Sequence, residues 1–233
     1  MTPPPTVSTR LQRLARTAGS GPLITHYGPA GERTELSVTS FANWVAKTVN
    51  LLGDLGIEPG DTVTLPVLSE RPAHWMALIW PFALWQAGLA VAVVSDAADA
   101  DLVVTGPTDP RPRAPHTLAC SLDPWARALT GLPAGVTDYS SEALAQPDAA
   151  PDAVVDAEAL AWSDPARTLT ASDLAALDPI ADRLLARPSD PWQATSLLVR
   201  AILGGGSVVF VEGATDAVRT ASAERARTLG PVA

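Results

Sequence analysis

Gly56-Ile57-Glu58-Pro59-Gly60-Asp61-Thr62-Val63-Thr64-Leu65 joins the end of one helix to the start of one strand. Gly56 stops a helix because it accepts the left-handed backbone that other residues resist. Pro59 fixes φ for the first corner of a turn and Gly60 supplies the positive φ of the second, so the pair reads as a type II turn. The β-branched run from Thr62 to Val67 then reads as a strand.

Upstream, Ser37 can cap a helix running to about Leu55. Phe41, Trp44, Val45, Leu52 and Leu55 recur at helical spacing, and Asn43, Lys47, Asn50 and Asp54 fall largely toward water. Before it, Val7 to Thr17 reads as a first helix with Val7, Leu11 and Leu14 on one side. Leu23 to Tyr27 and Glu35-Leu36 read as short strands around Gly28-Pro29-Ala30-Gly31.

Downstream, Pro72 to Ser95 contains no Asp, Glu, Lys or Arg. A window of about 20 apolar residues is the mark of a spanning helix. His74, Pro81, Gln86 and Gly88 interrupt it, and the composition changes at Gly88. Trp75 to Trp85 suits a helix buried all round, and Leu89 to Val94 a strand buried on both faces. Asp101 to Thr105 reads as a further strand. Strands alternating with helices at this spacing predict an α/β layered domain with a mostly parallel sheet.

Past Gly106 prolines thicken, and the middle stretch 107–180 is expected to be Pro/Ala-rich and irregular. Asp123-Pro124-Trp125 and Asp190-Pro191-Trp192 share one logic: an aspartate cap, a proline at the first helical position, then a helix. The second helix ends at Gly204-Gly205-Gly206, Ser207 to Val211 is a strand, and Thr215 to Leu229 reads as a closing alanine-rich helix. No internal repeat is visible.

With 233 residues and 47% hydrophobic residues, the chain can bury one sizeable core or two small lobes sharing an interface. A net charge of −9 with no basic face argues against nucleic acid as a partner. Cys120 is the only cysteine, which excludes an intrachain disulfide and paired-thiolate metal sites. Met1 to Ser20 lacks the apolar stretch of a secretory signal, so a cytoplasmic setting is the expectation.

His26-Tyr27, Glu35-Leu36-Ser37, the Gly56 to Val63 stretch and Ala87-Gly88-Leu89-Ala90 together resemble the opening of adenylate-forming, acyl-CoA-synthetase-like enzymes. That superfamily shows "T-Y-x-E-L", then "G-(I/V)-x-x-G-D-x-V", then "A-G-(A)-V". The resemblance covers about residues 20–106. A weaker second block runs from Asp182-Arg183-Leu184-Leu185 to Gly204-Gly205-Gly206-Ser207-Val208-Val209. A group of short actinobacterial proteins of this size is also similar. The resemblance implies the fold of the family's N-terminal region: a single domain over 1–233, with 1–19 as an N-terminal helix or arm and without the C-terminal lid domain.

The departures weigh against the family's chemistry. Its Ser/Thr/Gly-rich loop ending in Pro-Lys-Gly cradles ATP phosphates on backbone amides. Here no glycine lies between Gly135 and Gly204, and the corresponding stretch is read as Asp138-Tyr139-Ser140-Ser141-Glu142. Lys47 is the only lysine, so the family's phosphate-loop lysine has no counterpart. No residue is assigned a catalytic, cofactor-binding or metal-binding role, and no cofactor is expected; ATP or AMP enters only if the phosphate-loop argument fails.

Other features read as structural. Gly204-Gly205-Gly206 follows a helix and opens a strand, the reverse of a phosphate loop, and reads as a helix cap. His26, His74 and His116 lack metal-ligand spacing. Asp96, Asp99 and Asp101 read as a solvated loop rather than a cation site. No Gly-x-Ser-x-Gly elbow exists. Cys120 reads as a buried thiol, and Trp75, Trp80 and Trp85, spaced by five, as core rather than a stacking stripe. The expected function is a non-catalytic relative keeping the scaffold for binding or assembly, with a protein partner or a homo-oligomer and no membrane. The alternatives are a partial acyl-adenylate ligase completed by a partner chain, and an acyl- or nucleotide-binding protein.

Overall fold

A computed structural model describes residues 6–93 and 99–229. Thr6 caps α1 (Val7–Ala18) by accepting the amide of Thr9. An antiparallel hairpin follows, β1 (Pro22–Tyr27) and β2 (Arg33–Ser37). Ser37 caps α2 (Val38–Asp54) through the amide of Ser40, and Gly56 leaves the helix at φ 72°. The Asp61 amide donates to the Glu58 carbonyl at 3.0 Å, and Gly60 sits at φ 111°, which is the turn that Pro59-Gly60 predicts.

The strand expected from Thr62 to Val67 is shorter: β3 (Val63–Thr64) gives way to α3 (Pro66–Glu70). Pro66 has no amide for a ladder and takes the first helical position instead. After α4 (Trp75–Gln86) comes β4 (Val91–Ala92), a fraction of the strand expected over Leu89 to Val94; Val94 lies outside the described residues. β5 (Leu102–Thr105) matches its expectation.

The middle stretch holds more regular structure than its prolines suggest: β6 (His116–Ala119), β7 (Thr137–Asp138), α5 (Tyr139–Leu144), β8 (Leu160–Asp164), β9 (Arg167–Thr170) and α6 (Ala171–Ala175). Asp123-Pro124-Trp125 forms no helix. The Asp123 carboxylate accepts the amides of Trp125 and Arg127, but Leu122 and Ala126 stand at φ 51° and 55°, which no helix allows. β10 (Arg183–Ala186) leads to α7 (Pro191–Gly204), capped by Asp190 and ended by Gly205 at φ 74°. β11 (Ser207–Val211) follows. The closing helix is only α8 (Ala217–Ala223), because Arg225 turns left-handed at φ 51° and the chain re-extends as β12 (Arg227–Thr228).

The strands form two sheets, ordered β12-β10-β11-β1-β2 and β7-β6-β5-β3-β4-β8-β9. All neighbours run parallel except the hairpins β1–β2 and β8–β9. This is the expected α/β class with mostly parallel sheets flanked by helices. α2 and α7 pack on the first sheet and α4 packs on β4 of the second, while α4 also touches α1, α2 and α7. That placement buries every residue of α4, which explains its uncharged composition without a bilayer. Trp75, Met76, Leu78, Ile79, Trp80, Phe82 and Leu84 are each at most 2% exposed. Each such side chain contributes roughly 1.5–3 kcal/mol on leaving water, before the entropy of ordering. Among the described residues no helix is long and apolar enough to cross a membrane.

Candidate functional site

In an open parallel sheet, ligands collect outside the carboxyl ends of the strands, where loops diverge and backbone donors are free. In the first sheet those ends are Tyr27 of β1, Ala186 of β10 and Val211 of β11, followed by Gly28, Arg187 and Glu212. The loop from α3 to α4 reaches them from the second sheet. Glu70, the last residue of α3, accepts the amide of Thr108 beyond β5, and Arg71 of the loop donates to the carbonyl of Leu122 beyond β6. Arg71 Nε also donates to Glu212 Oε2 at 2.9 Å, so one guanidinium ties the two carboxyl edges together.

A groove of about 240 Å³ opens here, lined by Glu70, Arg71, Arg187 and Glu212 among others. Beneath it lie His26 and His74, both fully buried, their rings edge to face at 4.8 Å. The two were far apart in sequence and carried no spacing signal; β1 and the cap of α4 bring them together. His26 Nε2 stands 3.3 Å from Glu212 Oε1, off the direction of a hydrogen bond. His74 Nδ1 accepts the amide of Met76 as the helix cap, and its Nε2 has no partner.

Burial, then the nearby His26 and Arg71, push the His74 pKa down to about 2, so the ring is neutral. For Glu212 burial acts to raise the pKa, but His26 and Arg71 outweigh it and the carboxyl titrates below its usual range. Most cationic capacity here is already committed: Arg71 serves Glu212 and Leu122, and Arg187 donates to the carbonyls of Gly213 and Thr215. The cluster therefore holds two sheets in register, and leaves few free donors for an anion.

A second charged network lies where β1, β2 and β10 meet the end of α8. Glu224 accepts from Arg33, Tyr27 and Arg183. Hydrogen bonding from Arg33, outweighing burial, brings its pKa down to about 2.

Asp138 to Glu142, read from sequence as standing where a phosphate loop would lie, is the start of α5. The Asp138 carboxylate accepts the amides of Ser141 at 2.7 Å and Leu129 at 2.8 Å, filling the helix start from within. Sequence reasoning missed a second stretch between the matched blocks. The hairpin β8–β9 turns at Pro165-Ala166 and runs straight into α6. In this turn Asp164 accepts the amides of Ala166 at 2.8 Å and Arg167 at 3.0 Å and the indole N–H of Trp162 at 2.8 Å. Arg167 Nε pairs with the same carboxylate at 3.3 Å. The signal was present as Asp-Pro before a Thr170/Asp173 capping box.

Lys47 does not face water as its helical position suggested. It is 16% exposed, donates to the carbonyl of Gln146 and pairs with Asp148 at 3.0 Å. Asn50 likewise donates to the carbonyls of Pro147 and Ala149. Asp101 accepts the amide of Thr62, Asp96 lies outside the described residues, and no metal-holding group of three or more ligands occurs among the described residues. Cys120 is fully buried, and burial pushes its thiol up to about 12. Gly205 caps α7, and Trp75, Trp80 and Trp85 are core.

No protein-family model matches the chain. It is 40% identical over 156 residues to a TIGR03089 family protein of Mycobacterium tuberculosis, covering 60% of each. Its fold matches the acyl-CoA synthetase of Brucella canis with a TM-score of 0.70 at 18% identity, over 95% of this chain and 46% of that one. Coronafacic acid ligase of Pectobacterium brasiliense matches with a TM-score of 0.67 at 10% identity, over 89% of this chain and 46% of that one. The chain thus has the fold of the N-terminal region of acyl-CoA synthetases, and spans less than half the length of these structures.

Proposed function

We propose that this chain uses an acyl-CoA-synthetase scaffold for binding or assembly and does not itself form acyl-adenylates. The observation that supports this most is the occupation of the β8–β9 turn by its own carboxylate. A loop that cradles phosphate keeps its amides free and places a cation beside them. In this turn the amides of Ala166 and Arg167 are spent on Asp164, and the Arg167 side chain is paired with it. A phosphate brought to this turn meets a carboxylate where free amides would be needed, and Arg167 could serve it only by leaving Asp164 unpaired.

The Asp138 cap argues the same way for the start of α5, and Lys47 is engaged with Gln146 and Asp148. The test is pyrophosphate exchange by the purified protein with Mg-ATP and a panel of short, medium and aromatic carboxylic acids. The expected result is exchange no faster than in protein-free buffer. Acid-dependent exchange that copurifies with the chain and is lost on heating overturns the reading.

A further inference from the structure

Two strips of opposite charge lie on the face formed by α1 and the chain that leads into β8. α1 carries Arg10, Arg13 and Arg16 and no carboxylate. Arg13 and Arg16 are exposed and Arg10 is half-buried. The second strip is the ribbon 151–158, which continues the strap 146–153 that Asn50 and Gln86 hold on α2 and α4. From 128 to 166 the chain has no Lys or Arg. Exposure alternates along the ribbon as in an extended segment: Asp152, Val154, Asp156 and Glu158 are exposed, and Ala153, Val155 and Ala157 between them are half-buried. Among the described residues, none of the three arginines and none of these three carboxylates takes part in an ion pair.

The strips are neighbours. Arg16 is close enough to Asp152 to favour its charged form. At the other end of α1, Val7 and Val155 line one apolar cleft together with Leu89, Leu160 and Leu174. Next to Val155, Val154 is fully exposed, and Leu160 of the cleft wall is 48% exposed. An apolar centre with charge around it is the anatomy of a protein interface. Here the charge has both signs in equal number, so a partner of one sign is drawn to one strip and repelled by the other. A second copy of the chain escapes that conflict. A two-fold axis running along the cleft lays each helix over the other copy's ribbon, sets arginines against carboxylates twice, and brings the two clefts together at the centre.

We propose that α1 and the ribbon 151–158 form a self-complementary face through which two copies of this chain pair. The proposal deepens the assembly side of the functional reading and rests on it. The face shares no residue with the Asp164 turn, so a chain that stays monomeric removes this interface and leaves the pyrophosphate-exchange result as it was.

The experiment is sedimentation of the full chain and of two charge-reversed variants, alone and mixed. One variant carries Arg13→Glu and Arg16→Glu, the other Asp152→Lys and Glu158→Lys; Asp156 is kept because its carboxylate accepts the Glu158 amide. The wild type should dimerise reversibly between about 1 and about 100 µM, and more weakly as salt is raised. Each variant alone sets like charges together twice and should dimerise at least about tenfold more weakly. An equimolar mixture of the two places acidic helix on basic ribbon and basic helix on acidic ribbon, so pairing should return as a heterodimer. That recovery also shows that both variants fold. A wild type that stays monomeric overturns the proposal, whether the cleft then serves residues 1–5 of the same chain or another protein. So does a dimer indifferent to the reversals, or a mixture that fails to pair.

Discussion

Arg71 Nε lies 2.9 Å from Glu212 Oε2, and this contact joins a loop anchored on one sheet to the strand end of the other. The side chains are 24% and 17% exposed, so water screens the pair only in part. Removing one partner strands the other's charge beside the buried His26, which costs more than the pair itself contributes.

Arg71→Met, which keeps most of the volume and drops the charge, should therefore lower unfolding free energy by about 2 kcal/mol, less than a fully buried pair would lose. Adding Glu212→Gln should recover part of that loss, because the stranded carboxylate is then gone. Urea unfolding of the wild type, both single variants and the double variant measures the coupling. Strict additivity would show that the two residues do not act on each other.

His74 makes stability fall in mild acid. Its folded pKa lies near 2 and the ordinary value is 6.5, so between these pH values the unfolded chain binds a proton that the folded chain refuses. Stability is then full above pH 6.5 and drops as pH falls below it, by at most about 1.4 kcal/mol per pH unit from this ring. Glu212, whose pKa is depressed, adds a loss of the same sign at lower pH, beginning as pH falls through the ordinary carboxylate value and continuing down to its own lowered one. His74→Asn keeps an acceptor for the Met76 amide, so it should lower stability at pH 8 yet flatten the slope between pH 6.5 and 5. Urea midpoints across that range decide it; an unchanged slope would remove His74 as the source.

Where local chemistry was decisive, the sequence was readable. Ser37, Pro59-Gly60, Asp190-Pro191 and Gly205 each dictate a cap or turn through their own atoms, and each stands where expected. The failures came where partners distant in sequence decide. Asp123-Pro124 carries the same cap chemistry as Asp190-Pro191, but the residue two places on turns left-handed and no helix grows. The run from Thr215 to Leu229 has helical composition throughout, yet β10 offers an open edge and Arg227–Thr228 takes it. The meeting of His26 with His74, and of Arg71 with Glu212, depends on two sheets sharing an edge line, which no local pattern encodes.

Gly204 and Gly205 look alike in sequence and should respond differently to a methyl group. A Cβ on Gly204 would lie 2.3 Å from the Ile180 carbonyl oxygen and 2.4 Å from its carbon, backbone that cannot step aside. A Cβ on Gly205 meets nothing nearer than 4.0 Å, and only the left-handed φ of 74° opposes it. Gly204→Ala should therefore cost about 3 kcal/mol as overpacking, and Gly205→Ala about 1 kcal/mol as backbone strain. Thermal and urea unfolding of the two variants should rank them in that order; equal losses would contradict the close approach at Ile180.

Lys47 is the residue on which a nucleotide reading would lean, and its contacts assign it another task. With Asn50 and Gln86 it holds the strap 146–153 against α2 and α4, donating to the Gln146 carbonyl and pairing with Asp148. Lys47→Met keeps the buried stem and removes the ammonium, so α2 should persist while the strap loosens. The expected loss of stability is about 1 kcal/mol, as for a half-exposed ion pair with one carbonyl contact. Amide hydrogen exchange should accelerate at Ala153, whose amide is held by Gln86, and stay unchanged in β11 at the far side of the core. If Lys47 instead served a phosphate, the variant would leave exchange in the strap untouched and abolish a nucleotide-induced protection present in the wild type.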